Sequence, residues 1–285
     1  MDSSKFLIIG AGGQLGKALQ AQYPQAQKVD VAELDITNKD AVASYDWSNV
    51  THVLNAAAYT NVDGAETTEG RVAAWKVNAT AVAYLCEAAR AHDLTFVHIS
   101  TDYVFDGTRG PHKEDEPFSP LGVYAATKAA GDILVSQLPK HYLLRTSFVI
   151  GEGKNFVRIM LELGKKGINP AVIADQSGRL TFTSELVRAI DHLLSKQAPS
   201  GTYNVSNGGE PTSWAGLTRE IFRLAGYANQ VSDTTTEAYY KDKAETAQRP
   251  LNSVLDLAKI EATGFQPKDW HEDLADYVKK EMEQA

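Results

Sequence analysis

The strongest constraint on the fold is the run Lys5-Phe6-Leu7-Ile8-Ile9-Gly10-Ala11-Gly12-Gly13-Gln14-Leu15-Gly16-Lys17-Ala18-Leu19. A short apolar run of this kind fits a buried parallel strand, and the glycines end it in a tight turn. The stretch from Leu15 to Gln20 then opens a helix. Strand, glycine turn and helix in this order form the context that a dinucleotide fingerprint requires. Glycine lets the backbone approach a pyrophosphate closely, and the helix N-terminus offers free N–H groups to its charge. The spacing is Gly10-x-x-Gly13-x-x-Gly16, with Leu15 where the strict Gly-x-Gly-x-x-Gly form has its last glycine. Gly10, Gly12, Gly13, Gln14 and Leu15 are the candidate cofactor contacts of this turn.

Further cofactor candidates follow at strand ends. Asp30 stands twenty residues after Gly10, where a carboxylate reaches the adenosine ribose and repels a 2′-phosphate. Asp35 and Ile36 come just afterwards, placed to flank an adenine, before the capping signal Thr37-Asn38. The third strand, beginning at His52, runs into Asn55-Ala56-Ala57-Ala58, whose small side chains leave room for a cofactor. Phe96-Val97-His98-Ile99-Ser100 is another strand and delivers Thr101 to its end.

Tyr124 and Lys128 lie four residues apart in a helical stretch, so their tips share one face. An ammonium beside a phenol is expected to lower its pKa from the ordinary value near ~10, so that the phenol exchanges a proton with a carbonyl or alcohol near neutral pH. Thr101 is placed to bond the same oxygen. Strand and helix alternate through Ile150, which predicts a doubly wound parallel α/β sheet, Rossmann-like, with a smaller mixed α/β C-terminal lobe. Residues 1–150 are read as a dinucleotide-binding domain, with 184–207 returning to its sheet; 151–183 and 208–285 are read as a substrate lobe. Thr183 or Ser184 is expected to cap the helix that follows, and residues 229–250 are expected to form loop with little regular structure.

Composition narrows the function. A net charge of −8 offers no basic excess to neutralise phosphates, which argues against a nucleic-acid binder. Cys86 is the only cysteine, and the seven histidines show no metal-ligand spacing, so no metal site is expected. No Gly-x-Ser-x-Gly elbow supports a serine hydrolase. The first apolar run is too short for a signal peptide and no stretch approaches membrane-spanning length, so a cytoplasmic location without membrane partners is expected.

Taken together, Gly13-Gln14-Leu15-Gly16, Val29-Asp30-Val31, Asn55-Ala56-Ala57-Ala58-Tyr59-Thr60, Ser100-Thr101-Asp102-Tyr103-Val104-Phe105, Tyr124 with Lys128, Arg145-Thr146-Ser147, Asn155-Phe156 and Arg249-Pro250-Leu251-Asn252-Ser253 span nearly the whole chain. In these stretches it resembles the extended short-chain dehydrogenase/reductases, and among them the dTDP-4-dehydrorhamnose reductases of nucleotide-sugar metabolism. The resemblance implies reduction of the 4-keto group of dTDP-4-dehydro-L-rhamnose by NADPH or NADH. Tyr124 would be the general acid, Lys128 its partner and a ribose ligand, and Thr101 the hydrogen-bonding hydroxyl. It further implies that Thr60, Val62 and Tyr103 line the sugar site and that Asn155 and Arg249 contact the diphosphate. Phe148 replaces a tryptophan common in the family, which would reshape the sugar pocket. Ala18 stands where some members carry the first glutamate of a magnesium-linked dimer, so a monomer or weak homodimer is expected. The same fold also hosts nucleotide-sugar epimerases and dehydratases with a tightly held NAD, for which Asp102 followed by Tyr103 is a poor match. A non-catalytic, reductase-like regulatory subunit would lack the tyrosine, which is present here.

Overall fold

In the computed structural model, which describes residues 1–243 and 246–284, a six-stranded sheet forms the centre. Its strands are β1 (Phe6–Ile9), β2 (Gln27–Val29), β3 (His52–Asn55), β4 (Thr95–Thr101), β5 (His141–Thr146) and β6 (Gly201–Asn204). They run in the order β6-β5-β4-β3-β1-β2, and every pairing is parallel. The expected doubly wound Rossmann-like architecture is present. The order reverses between β1 and β3, and at such a switch point the strand C-termini leave a crevice open to a ligand.

Both faces of the sheet are covered. Phe6 and Ile8 point into one apolar layer with Leu15 and Leu19 of α1 (Gln14–Gln22). Leu7 and Ile9 point the other way, into a layer with Val42 of α2 (Lys39–Ser44) and Leu85 of α4 (Ala81–Ala91). All four β1 side chains are at most 2% exposed, which is why this strand reads as an unbroken apolar run rather than an alternating one. The helix α3 (Thr68–Trp75) passes through a π-turn at Lys76–Thr80 directly into α4, and α5 (Val123–Val135) packs beside that junction.

A third apolar cluster lies apart from the sheet. It joins Val157, Met160 and Leu161 of α6 (Phe156–Lys165) to Leu217, Ile221 and Phe222 of α8 (Trp214–Ala225) and to Trp270, Leu274 and Val278 of the C-terminal helix Trp270–Glu283. Between α6 and α8, α7 (Thr183–Ser195) crosses back to the sheet and packs on α1. Its N-cap is Phe182, without a side-chain cap, rather than Thr183 or Ser184. Residues 229–250 are more regular than their polarity suggests. Ser232–Thr234 pairs in parallel with Ala171–Ile173, and Thr236–Tyr240 is helical. Thr235 caps that helix by accepting from the Ala238 amide, and Asp175 accepts from Thr236 at 2.9 Å. These partners are distant in sequence, so local composition gave no sign of them.

Candidate active site

The turn after β1 has the geometry of an anion cradle. Gly10 has φ +77°, and a Cβ there would sit 2.7 Å from the Ala57 amide nitrogen. A Cβ on Gly16 would meet the Gly10 carbonyl at 2.1 Å, so α1 seats against the turn only because that position is bare. The helix opens at Gln14 with Gly13 as its cap, leaving its first amides without intrahelical acceptors. The Leu15 side chain goes into the core, so only its backbone faces the turn. Gln14 Oε1 is buried without a partner, a polar atom still available to a bound group.

Beside this turn is a groove of about 330 Å³, lined among others by Asp30, Asp35, Ile36, Ala56 and Ala57. Asp30 Oδ2 accepts from the Gly12 amide at 2.8 Å and Oδ1 from Val31, which fixes its carboxylate at the groove rim. Asp35 accepts from both the amide and the hydroxyl of Thr37, and those bonds hold its carboxyl below the usual range. Asn55 is not a lining residue. It is 2% exposed, accepts from Ala57 and reaches back to His98.

Tyr124 stands in the first turn of α5, half-buried, with its ring edge-to-face against Tyr103 at 6.0 Å. The expected lowering of its pKa is not found. Burial first, and then the Asp102 carboxylate, push the phenol above its ordinary value, against a smaller opposing effect of Thr101. Lys128 does not offset this; its Nζ is engaged by the Ile99 carbonyl at 2.7 Å and His98 Nε2 at 3.2 Å. A phenol held protonated is a proton donor, which suits a general acid.

Thr101 is 7% exposed and directs its one proton to Asp102 Oδ1 at 2.9 Å, while accepting from the Tyr103 amide. Asp102 is 3% exposed, its Oδ2 has no partner, and burial raises its carboxyl from 3.8 to about 6. The folded state therefore holds this proton more tightly than the unfolded chain, and the ionisation penalty grows as pH rises from about 4 to about 6. Asp102→Asn should stabilise the protein by about 2–3 kcal/mol at pH 7.5, with the gain fading towards pH 4. Denaturant unfolding at the two pH values checks this; an equal gain at both would exclude the buried ionisation as its cause.

Three polar groups to which the sequence assigned no role brace the site. Asn78, in the π-turn, accepts from the Tyr59 amide and donates to the Tyr59 carbonyl and the Thr127 hydroxyl, tying the groove wall to α5. Asp132, one turn after Lys128, is paired with Arg145 of β5 at 2.9 Å, both at most 3% exposed. Arg145 also donates to the Glu114 carbonyl and lies against the rings of Phe105 and Phe118.

A second pocket of about 400 Å³ is lined by Tyr103 together with Phe156, Gln176, Trp214, Tyr240 and Arg249. Arg249 bonds Asp63 at 2.7 Å and sits over the Tyr240 ring, so a loop expected to be irregular supplies this wall. Phe148 is outside the lining. It stacks on Trp214 at 3.8 Å, with φ +45° and with Gly178 beneath it, and so shapes the pocket only through Trp214. Asn155 caps α6 and donates to Gly151, Gly153 and Tyr277, which engages its whole amide. Thr60 is exposed and Val62 half-buried, and neither lines this pocket. Among the described residues no group of three or more His, Cys, Asp or Glu is placed to hold a metal ion.

With this geometry in view, the family model described as the RmlD substrate binding domain matches residues 4–283. The chain belongs to that family. A dTDP-4-dehydrorhamnose reductase of Aggregatibacter actinomycetemcomitans is 40% identical, with 94% of this chain and 96% of that protein covered. Among solved structures of the family, a dTDP-4-dehydrorhamnose reductase of Clostridium acetobutylicum superposes with a TM-score of 0.89 at 36% identity, covering 96% of this chain and 98% of that one. One of Bacillus anthracis, solved in complex with NADP, gives 0.88 at 33% identity over 97% and 98% of the two chains.

Proposed function

We propose that this protein is a nucleotide-sugar 4-keto reductase that converts dTDP-4-dehydro-L-rhamnose to dTDP-L-rhamnose with NADH or NADPH. The observation that carries the reading is Tyr124, a phenol kept protonated and set edge-to-face against Tyr103, which itself lines the second pocket. When bound, the reduced nicotinamide supplies a hydride. Gly10, Gly12, Gly13 and the first amides of α1 hold the pyrophosphate, with Asp30 at the ribose. Tyr124 donates its proton to the C4 oxygen, and Lys128 steadies the phenolate that remains. Thr101, by turning its hydroxyl from Asp102, donates to the same oxygen. Tyr103 and Arg249 bind the substrate, the latter held in place by Asp63. The names of the relatives support the substrate, and full-length coverage supports the assignment of both pockets to one reaction. Consumption of one cofactor equivalent per equivalent of dTDP-4-dehydro-L-rhamnose tests the reaction, and its absence with both cofactors would exclude it.

The groove further supports use of NADH. Asp30 is fixed at its rim, Glu33 bonds the Asp30 amide at 2.9 Å, and no lysine or arginine is among the described residues that line it. A 2′-phosphate would meet two carboxylates. The ratio of kcat/KM for NADPH to that for NADH should stay below about a hundredfold, which corresponds to roughly 2.7 kcal/mol. A larger ratio would remove Asp30 from the ribose site.

Among the described residues no helix is long and apolar enough to cross a membrane. We take the working form to be a cytoplasmic monomer or weak homodimer, since Ala18 provides no metal ligand for a bridged dimer.

A further inference from the structure

Behind Lys128 lies a buried chain whose protons can be counted. Asn55, His98 and Lys128 are all at most 2% exposed. The Ala57 amide donates to Asn55 Oδ1 at 3.2 Å, so the NH2 group of Asn55 is the end that faces His98 Nδ1, at 3.0 Å. An amide NH2 only donates, so Nδ1 must present a lone pair. The one proton of a neutral imidazole is then on Nε2, which points at Lys128 Nζ 3.2 Å away. An ammonium has no lone pair to receive it, whereas a neutral amine does.

We infer that His98 is a positioning residue for Lys128: Asn55 fixes it as the Nε2–H tautomer, and in that form it donates to the uncharged amine of Lys128. Protonating Lys128 breaks this bond, or forces a tautomer change that sets two donors face to face at Asn55. Burial acts in the same direction, bringing Lys128 from 10.5 down to about 8 and keeping His98 well below its ordinary value and neutral. The other titratable groups around the pair are Tyr124 one turn earlier on α5, Asp102 facing Tyr124, and Asp132 one turn later. Asp132 works against the effect, but it is bonded to Arg145. A lysine that titrates near the working pH can return a proton to Tyr124 after each turnover, which one at its ordinary value does less readily.

The role given to Lys128 rests on the reductase reading; the tautomer does not. Nitrogen-15 NMR of the whole labelled protein at pH 9, where Lys128 is uncharged, with the His98 ring assigned, should find Nε2 protonated and Nδ1 bare. An Nδ1–H tautomer or an imidazolium would overturn the inference, whatever the enzyme does. In kinetics, His98→Gln places at the Nε2 position an amide free to present its oxygen to an ammonium. The alkaline limb of kcat should then move up by about one pH unit, a tenfold change in the ionisation constant of Lys128, with KM for the cofactor little changed. A limb that stays in place in a folded variant would overturn the tuning role. If His98→Gln does not fold, a carbon-13 titration of the Lys128 side chain in the unaltered protein decides: a pKa near that of free lysine contradicts the inference, and one near 8 or below supports it.

Discussion

Tyr124→Phe is expected to slow the reduction by roughly 10²–10⁴-fold, the range contributed by a positioned general acid. Cofactor binding should be close to normal, because the ring and its edge-to-face contact with Tyr103 are retained. The loss should fall on kcat and kcat/KM together, as for an interaction made only in the transition state. Steady-state kinetics with a parallel cofactor titration checks it, and a variant keeping most of its turnover would remove Tyr124 from the mechanism. Because burial and Asp102 both hold the phenol protonated, no loss of the wild-type rate from ionisation of Tyr124 itself is expected below its ordinary value.

Arg145→Met should destabilise the fold by about 3–5 kcal/mol, the cost of leaving a buried charge without its partner. The carboxylate left behind is that of Asp132, 1% exposed and with Oδ1 already unpartnered. The Glu114 carbonyl would also lose its donor. The double change Arg145→Met with Asp132→Leu should recover most of the loss, since replacing a whole buried pair by apolar groups is often neutral. Urea unfolding of the three variants tests this. A single variant as stable as the parent would mean that the pair is solvated or relaxes freely. The pair also anchors the helix that carries Tyr124 and Lys128, so the single variant should lose activity at temperatures where it is still mostly folded.

The frame was legible in the sequence because its signals are local. An apolar run closed by Gly10 and Gly16 permits few structures, and steric contact at those two positions explains why. The Tyr124 and Lys128 spacing likewise placed both residues on α5. What spacing could not tell was where Lys128 points, since its partners His98 and Ile99 lie on a strand thirty and twenty-nine residues earlier. His98 looks like any polar residue within an apolar strand until the Asn55 amide is seen against it. The same limit explains residues 229–250, whose strand exists only by pairing with Ala171–Ile173. For Asn155 the motif placed the residue correctly at a helix start, but its amide serves the cap and the Gly151–Gly153 loop.

The proposed function has the two pockets serve one reaction, with binding energy from the nucleotide end used to orient the keto sugar at Tyr124. It is tested most directly by measuring kcat/KM over a panel of dTDP-linked keto sugars, keto sugars on other nucleotides, and free ketones. dTDP-4-dehydro-L-rhamnose should be the best substrate and free ketones poor ones. Arg249→Ala should narrow the gap by weakening only the nucleotide-linked substrates, by about 1.5–3 kcal/mol if its guanidinium bonds their charge. Free ketones reduced as efficiently as the dTDP-linked sugar would contradict it.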